Sequence, residues 1–333
     1  MALPASDLAD DAEEQCEATL KQLIKYINAD GFRSVFCPDN SMVVTPVSTE
    51  VPVPSFFATE SIRWKARSKK KPHSAEYLWT HCLEDIKKDI KDSYFDHFMD
   101  ERSAMARSLV YNSGNVAVFS TAECAAIICC LQARELLPPK FTWFDPSMGW
   151  GDRLSVACAL DSVAGYLGID PNPYLFEDNA YPRIKRVARK MGIKKRLQFV
   201  KSGAEDFRLH PADVANFDLV LTSPPFFDQE IYLDESDPKA ATQSIVKFKT
   251  LAEWIDGFFV KYLLVGYRAL RPGGVMALHM FQSTVVEPWV QPGIDKFLKL
   301  TDAVVKDPIK CTKQKGAIDV HVLQKPKKRT REE

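Results

Sequence analysis

The sequence predicts an α/β fold: a mostly parallel sheet with helices on both faces. Three observations carry this. From residue 112 onward, short apolar runs alternate with helix-length segments, the pattern of βαβ units. Three of those runs lead directly into a polar group, at Asp145, Asp170 and Ser223. A glycine-rich turn, with Gly149 and Gly151, follows the first of them. Right-handed crossovers bring successive strand C-termini to one edge of such a sheet, and ligands bind at that edge near the switch in strand order.

The elements follow in order. Residues 8–30 read as a helix, with Leu20, Leu23, Ile24 and Ile27 at helical spacing. A strand-like stretch centres on Met42-Val43-Val44, and residues 51–55 are a proline-rich loop. Residues 74–110 read as helical, broken near Ser93. A buried helix spans Thr121 to Leu137 and stops at Pro138-Pro139. Seven strands are expected at 141–145, 163–170, 197–201, 217–222, 275–281, 303–311 and 318–324. Helices are expected at 154–160, 175–192 and 251–270, the last broken by Gly273-Gly274; the 175–192 helix is amphipathic and basic. The division expected is an N-terminal accessory region (1–110), a catalytic domain (111–325) and a charged tail (326–333).

Composition narrows the class. The apolar fraction of 46% and charged fraction of 26% are those of a soluble globular chain. No apolar run is long enough to span a membrane, and the acidic N-terminus does not read as a secretory signal. The eight cysteines show no Cys-x-x-Cys pair, so reduced thiols in an intracellular compartment are expected, and no metal site. Cys124, Cys129, Cys130 and Cys158 read as small buried residues. Lys+Arg and Asp+Glu both number 44, so any attraction for a polyanion must come from local patches.

Four motifs carry chemistry. Asp145-Pro146-Ser147-Met148-Gly149-Trp150-Gly151 follows a strand, and its glycines permit a tight turn and close ligand approach. The third glycine of the dinucleotide fingerprint is replaced by Leu154, which argues against a nicotinamide site. Asp170 ends the next strand, where an acid can accept both ribose hydroxyls of a nucleoside or simply cap a helix. Glu205 and Asp206 follow the third strand, placed to accept from an adenine amino group or to cap a turn. Ser223-Pro224-Pro225-Phe226 follows the fourth. Its prolines stiffen the backbone and lack N–H groups. An aromatic amine is a poor nucleophile because its lone pair is delocalised. Acceptors from Ser223 and the Pro224 carbonyl would favour the reactive pyramidal nitrogen, and Phe226 would stack on the ring.

These motifs, in this order, resemble the class I amino-methyltransferases, including the DNA N6-adenine and N4-cytosine methylases. The resemblance covers roughly residues 112–325 and implies a Rossmann-like, seven-stranded fold with S-adenosylmethionine as cofactor. Asn115 to Ile127 is similar to the family's N-terminal motif, which implies that Phe119, Ser120 and Thr121 help hold the methionine end. Carried over, Asp145, Pro146, Ser147, Gly149 and Gly151 would surround the methionine part. Asp170 would take the ribose, Glu205 or Asp206 the adenine, and Ser223, Pro224, Pro225 and Phe226 the target amine. Serine at the first tetrapeptide position is commoner among cytosine enzymes, and phenylalanine at the last occurs in several adenine enzymes. DNA is the preferred substrate. RNA adenosine is the runner-up, followed by a protein glutamine or a catalytically silent partner subunit.

Target recognition is expected in residues 1–110. There Arg63, Trp64, Lys65, Arg67, Lys69, Lys70 and Lys71, with nearby Trp79, form a cluster suited to phosphates and a base. The bland reading is a solvated loop beside a core tryptophan. The basic tail from Lys325 to Arg331 reads as a solvated end, with nuclear import as the sharper alternative. The oligomeric state is left open.

Overall fold

The computed structural model describes residues 12–28, 32–36, 42–46, 62–85, 109, 112–114, 116, 118–177, 180–280, 287–313 and 316–327. The proline-rich 51–55 loop, the 86–108 part of the expected second helix, Asn115 and the 328–331 part of the basic tail lie outside them.

In chain order, α1 (Ala12–Asn28) precedes a hairpin of β1 (Phe32–Phe36) and β2 (Met42–Pro46). The short β3 (Arg67–Ser68) and α2 (Ala75–His81) follow. The α/β core then runs α3 (Thr121–Ala133), β4 (Phe141–Asp145), α4 (Asp152–Ala159), β5 (Val163–Asp170), α5 (Tyr181–Lys190), β6 (Arg196–Lys201) and β7 (Phe217–Thr222). After β8 (Glu230–Ile231), a helix α6 begins at Leu251–Trp254 and passes through a π-turn, Ile255–Phe259, into Val260–Ala269. It leads into β9 (Leu270–His279), α7 (Glu287–Leu300), β10 (Val304–Lys313) and β11 (Gly316–Gln324).

The main sheet has the order β1-β2-β10-β11-β9-β7-β4-β5-β6. Strands β9, β7, β4, β5 and β6 are mutually parallel, and β11 is antiparallel to both β9 and β10. The seven strands β4 to β7 and β9 to β11 form the mostly parallel, Rossmann-like sheet of seven strands that was expected. β1 and β2 extend it: β2 pairs parallel with β10. Without that pairing β10 would present an open edge. β1 was not legible because Phe32-Arg-Ser-Val-Phe36 lacks a clear alternation of apolar and polar residues.

Buried residues form cores on the two faces of the sheet. One gathers α1, α3, α4 and α5 around Trp143 and Tyr166; the other gathers α6 and α7 around Phe144 and Trp254. α3 is almost uniformly apolar, consistent with its ten buried residues. α6 stops at Ala269, four residues before the glycine pair expected to break it. Pro272 disfavours helix at Arg271, so the chain is already extended from Leu270. In β10 the register with β11 shifts between Lys306 and Ile309, around Pro308, which has no N–H to give to a ladder.

Strand order reverses between β4 and β7: β5 and β6 lie beyond β4, and β9 lies beyond β7. The loops after β4 and β7 therefore diverge, opening a crevice at their C-terminal ends.

Candidate active site

A cavity of about 210 Å³ occupies that crevice. Its walls bring together four stretches far apart in sequence: Phe119, the turn after β4, the ends of β5 and β6 through Asp170 and Glu205, and Ser223-Pro224-Pro225-Phe226.

The turn after β4 needs its glycines. Gly149 has φ +58° and Gly151 has φ +91°, both in the left-handed region. Gly151 is the residue before α4, so the turn delivers the chain directly into that helix. Gly149 N–H donates to Asp170 Oδ2 over 2.9 Å, and Asn172 N–H donates to Asp170 Oδ1 over 2.9 Å. Asp170 is 7% exposed, and burial pushes its carboxyl up to about 7 against the lowering effect of those two N–H groups.

Asp145 lies behind the wall and is wholly buried. Its Oδ1 accepts from Thr222 Oγ1 at 2.9 Å and from Ser147 N–H at 3.3 Å. Its Oδ2 accepts from Arg153 Nε at 2.7 Å and Tyr166 OH at 2.8 Å. Burial alone would lower the Arg153 guanidinium, but the charge and hydrogen bond of Asp145 reverse that and hold it charged. Four donors on one carboxylate make Asp145 a clamp between the β4 turn and β7. Gly151 likewise sits outside the cavity wall, as do Ser120, which caps α3 through Glu123 N–H, and the buried Thr121.

Ser147 ties the two loops together. Its hydroxyl donates to the Ser223 carbonyl at 2.8 Å and lies 3.0 Å from both Thr222 Oγ1 and Tyr262 OH. Beyond the tetrapeptide, Phe227 has φ +44°, a conformation costing about 1–3 kcal/mol in a non-glycine residue. Its ring is held edge-on against buried Trp254 at 5.7 Å.

One buried acceptor in the cavity is left over. Glu205 Oε1 accepts from Lys247 Nζ at 2.6 Å, whereas Glu205 Oε2 is shielded from solvent with no hydrogen-bond partner among the described residues. Such an atom is costly unless a donor arrives. A donor amino group, as on an adenine ring, fits it. Asp206 is exposed and joined to the same Lys247 at 2.7 Å, outside the cavity. The residues present fit S-adenosylmethionine: Asp170 could accept from vicinal hydroxyls and Glu205 from an amino group, and the glycine turn would allow close approach.

Three features were not found in the sequence. His279, at the end of β9, lines the cavity, lies 3.1 Å through Nε2 from Glu123 Oε1, and has its ring 4.4 Å from that of Phe119. Tyr262 closes the Ser147–Thr222 network from α6. Gln243 staples the loop after the tetrapeptide: its Oε1 accepts from Tyr232 and Leu233 N–H at 2.8 and 3.2 Å, and its Nε2 donates to Leu233 O at 2.8 Å and Ala240 O at 3.3 Å. A single Gln or His in a sequence carries no spacing signal, so only tertiary packing reveals these.

The 63–71 cluster is strapped to that same loop. β3 pairs with β8, Lys69 N–H donates to Gln229 O at 3.0 Å, Arg67 Nε pairs with Asp234 at 3.0 Å, and Lys69 pairs with Asp228. Lys65 pairs with Glu76 at 3.0 Å. Arg63 is buried, and Trp64 and Trp79 are buried in a small core with Ala75 and Leu109. Lys70 is exposed.

Among the described residues no group of three or more His, Cys, Asp or Glu side chains is arranged to hold a metal ion. None of the helices described is long and apolar enough to cross a membrane. Cys124, Cys130 and Cys158 are buried, and Cys129 only partly so.

No family model matches the sequence, and no curated protein is significantly similar to it. Among solved structures, the N-methyltransferase NodS from Bradyrhizobium japonicum WM9 aligns at TM-score 0.39 and 9% identity, over 62% of this chain and 94% of that one. Magnesium protoporphyrin IX methyltransferase (ChlM) from Synechocystis PCC 6803, with bound SAM, aligns at 0.39 and 10%, over 75% and 94%. A methyltransferase from Pyrococcus furiosus aligns at 0.37 and 14%, over 75% and 99%. Likenesses this weak carry no argument about activity.

Proposed function

We propose that this chain transfers a methyl group from S-adenosylmethionine to an exocyclic amino nitrogen of a nucleic-acid base, N4 of cytosine or N6 of adenine in DNA. The observation that carries this reading is that Ser223-Pro224-Pro225-Phe226 lines the same cavity as Asp170, Gly149 and Glu205. A methyl donor held by the latter and an amine held by the former would meet in one crevice.

S-Adenosylmethionine, when bound, supplies an electrophilic methyl group on a sulfonium. The chain's own part is positioning. Asp170 would accept from the ribose hydroxyls, Glu205 from the adenine amino group, and Phe119 with the Gly149 turn would enclose the methionine end. The Ser223 hydroxyl and Pro224 carbonyl would accept from the target amine, and Phe226 would stack on its ring. The strap of residues 67–69 onto residues 228–234 puts Lys69 and Lys70 beside the loop that leaves this motif, from which they would contact phosphates flanking the target.

Incubation with methyl-labelled cofactor and either DNA or RNA, followed by mass spectrometry of the nucleosides, tests the reading. N4-methylcytosine or N6-methyladenine from DNA supports it. Label in RNA adenosine alone moves the substrate to RNA, and label only in protein removes nucleic acid from the proposal.

A further inference from the structure

Charge is segregated along this chain. Residues 179–204 hold nine Lys and Arg and no Asp or Glu, so the rest of the chain carries nine more acids than bases. These residues build one edge of the molecule: α5, the turn after it and β6, the terminal strand of the main sheet. α5 buries Tyr181, Ile184, Val187 and Ala188 and turns its cations outward.

Some of these cations have structural work. Lys195 Nζ caps the end of α4, donating to Ala157 and Cys158 carbonyls at 3.1 and 2.9 Å. Lys190 pairs with Glu17 of α1 at 3.1 Å. Others crowd together at the surface. Arg186, Arg189, Lys194, Arg196 and Lys201 are exposed, and Lys185 lies 5.2 Å over the Phe199 ring of β6. Burial and then the neighbouring Arg189 push the Lys185 ammonium below its usual value. Crowding like charges on one edge of a neutral chain disfavours the free fold unless a polyanion relieves it.

Both ends of this edge reach the cavity rim. At one end, Tyr181 OH donates to the Gly149 carbonyl. At the other, Ser202 N–H, next to Lys201, donates to the Asp170 carbonyl at 3.0 Å. β6 lies three strand spacings from β7, which carries the tetrapeptide, or about 14 Å at ~4.8 Å each. At ~3.4 Å per base pair that distance corresponds to roughly four base steps.

We infer that the edge formed by α5, the 191–195 turn and β6 is the docking surface for the phosphate backbone of the nucleic-acid substrate, engaging it a few base steps from the target. This rests on the nucleic-acid reading above and adds a second contact surface, built from a different stretch of chain than residues 63–71.

The test is the triple variant Arg189→Gln/Lys194→Gln/Arg196→Gln, with Arg189→Lys/Lys194→Arg/Arg196→Lys as the charge-preserving control. Binding of a fluorescent duplex of about 30 base pairs, and of its single strand, is measured by anisotropy across salt concentrations. The glutamine variant is expected to bind roughly tenfold or more weakly at low salt, with a salt slope smaller by about 2 to 3, while the control binds as wild type. Calorimetry with S-adenosylmethionine should give equal affinity for all three proteins. On a duplex with fewer than about four base pairs either side of the target, wild type and glutamine variant should bind alike. Wild-type binding with an unchanged glutamine variant overturns the surface and leaves the activity standing. A wild-type chain that binds neither nucleic acid, or that binds phosphatidylserine–phosphatidylcholine vesicles instead, overturns the nucleic-acid reading and the surface together.

Discussion

The Ser147 hydroxyl donates to the Ser223 carbonyl over 2.8 Å, joining the glycine turn after β4 to the first residue of the tetrapeptide after β7. The two residues are 76 positions apart, and this bond fixes the cofactor turn relative to the amine-binding motif. Ser147→Ala should lower kcat roughly tenfold to a hundredfold, as for a lost buried hydrogen bond of about 1–3 kcal/mol, with little change in cofactor affinity. Single-turnover kinetics beside calorimetry separates the two; equal losses in both would remove the coupling role.

Glu205 offers its unpartnered Oε2 to a donor. Glu205→Gln replaces that acceptor pair by a side chain with one oxygen, contested by Lys247 and the ligand. S-Adenosylmethionine should bind about 10–100-fold more weakly, in line with about 1.5–3 kcal/mol for a charged hydrogen bond. Wild type should also discriminate against the inosine analogue of the cofactor, whose carbonyl replaces the amino group. A wild-type protein indifferent to that replacement would show that Glu205 faces something else.

Asp170 predicts a pH dependence. Its carboxyl is pushed up to about 7, so the folded chain holds the proton that an unfolded chain releases near pH 4. Stability from this group is therefore full below about pH 4, falls as pH rises from about 4 to 7, and is level above. Cofactor hydroxyls need the ionised carboxylate, so affinity should rise through pH 7. Asp170→Asn should lose the fall in stability between about pH 4 and 7 and bind cofactor weakly with no pH trend. Titration calorimetry and thermal melts across that range check both signs.

Gln243 is 7% exposed and satisfies four backbone groups of the 232–240 loop. Gln243→Glu turns its Nε2 donor into a carboxylate oxygen facing two carbonyls, at a cost of about 2–3 kcal/mol. The loop should become sensitive to limited proteolysis and turnover should fall. Gln243→Glu with intact loop protection and full activity would contradict this.

Most strands and helices from residue 121, the turn at Gly149 and Gly151, and the placement of Asp170 and Ser223 at strand ends were legible, because apolar periodicity and glycine or proline punctuation are local; α7 (Glu287–Leu300) and the two-residue β8 were not expected from the sequence. That locality also limited them. Ser120, Thr121, Asp145 and Gly151 share the motif region with Phe119 and Gly149, yet only the latter two face the cavity. For Trp64 and Trp79 the sequence left open base-contacting rings or a core tryptophan beside a solvated loop; burial decides a ring's surroundings, and both are in a core.

The sequence by itself determined the fold class and the edge of the sheet where chemistry gathers, since those follow from residue type and spacing along the chain. The tertiary structure decided which acid faces a ligand and which braces the wall: Asp170 and Glu205 line the cavity, while Asp145 spends both oxygens on Thr222, Ser147, Arg153 and Tyr166. It also decided that residues 67–69 lie on the loop after the tetrapeptide and that His279 meets Glu123. These are contacts between segments tens to hundreds of residues apart. Their energies depend on burial and on which donors reach which acceptors, and no local pattern encodes that.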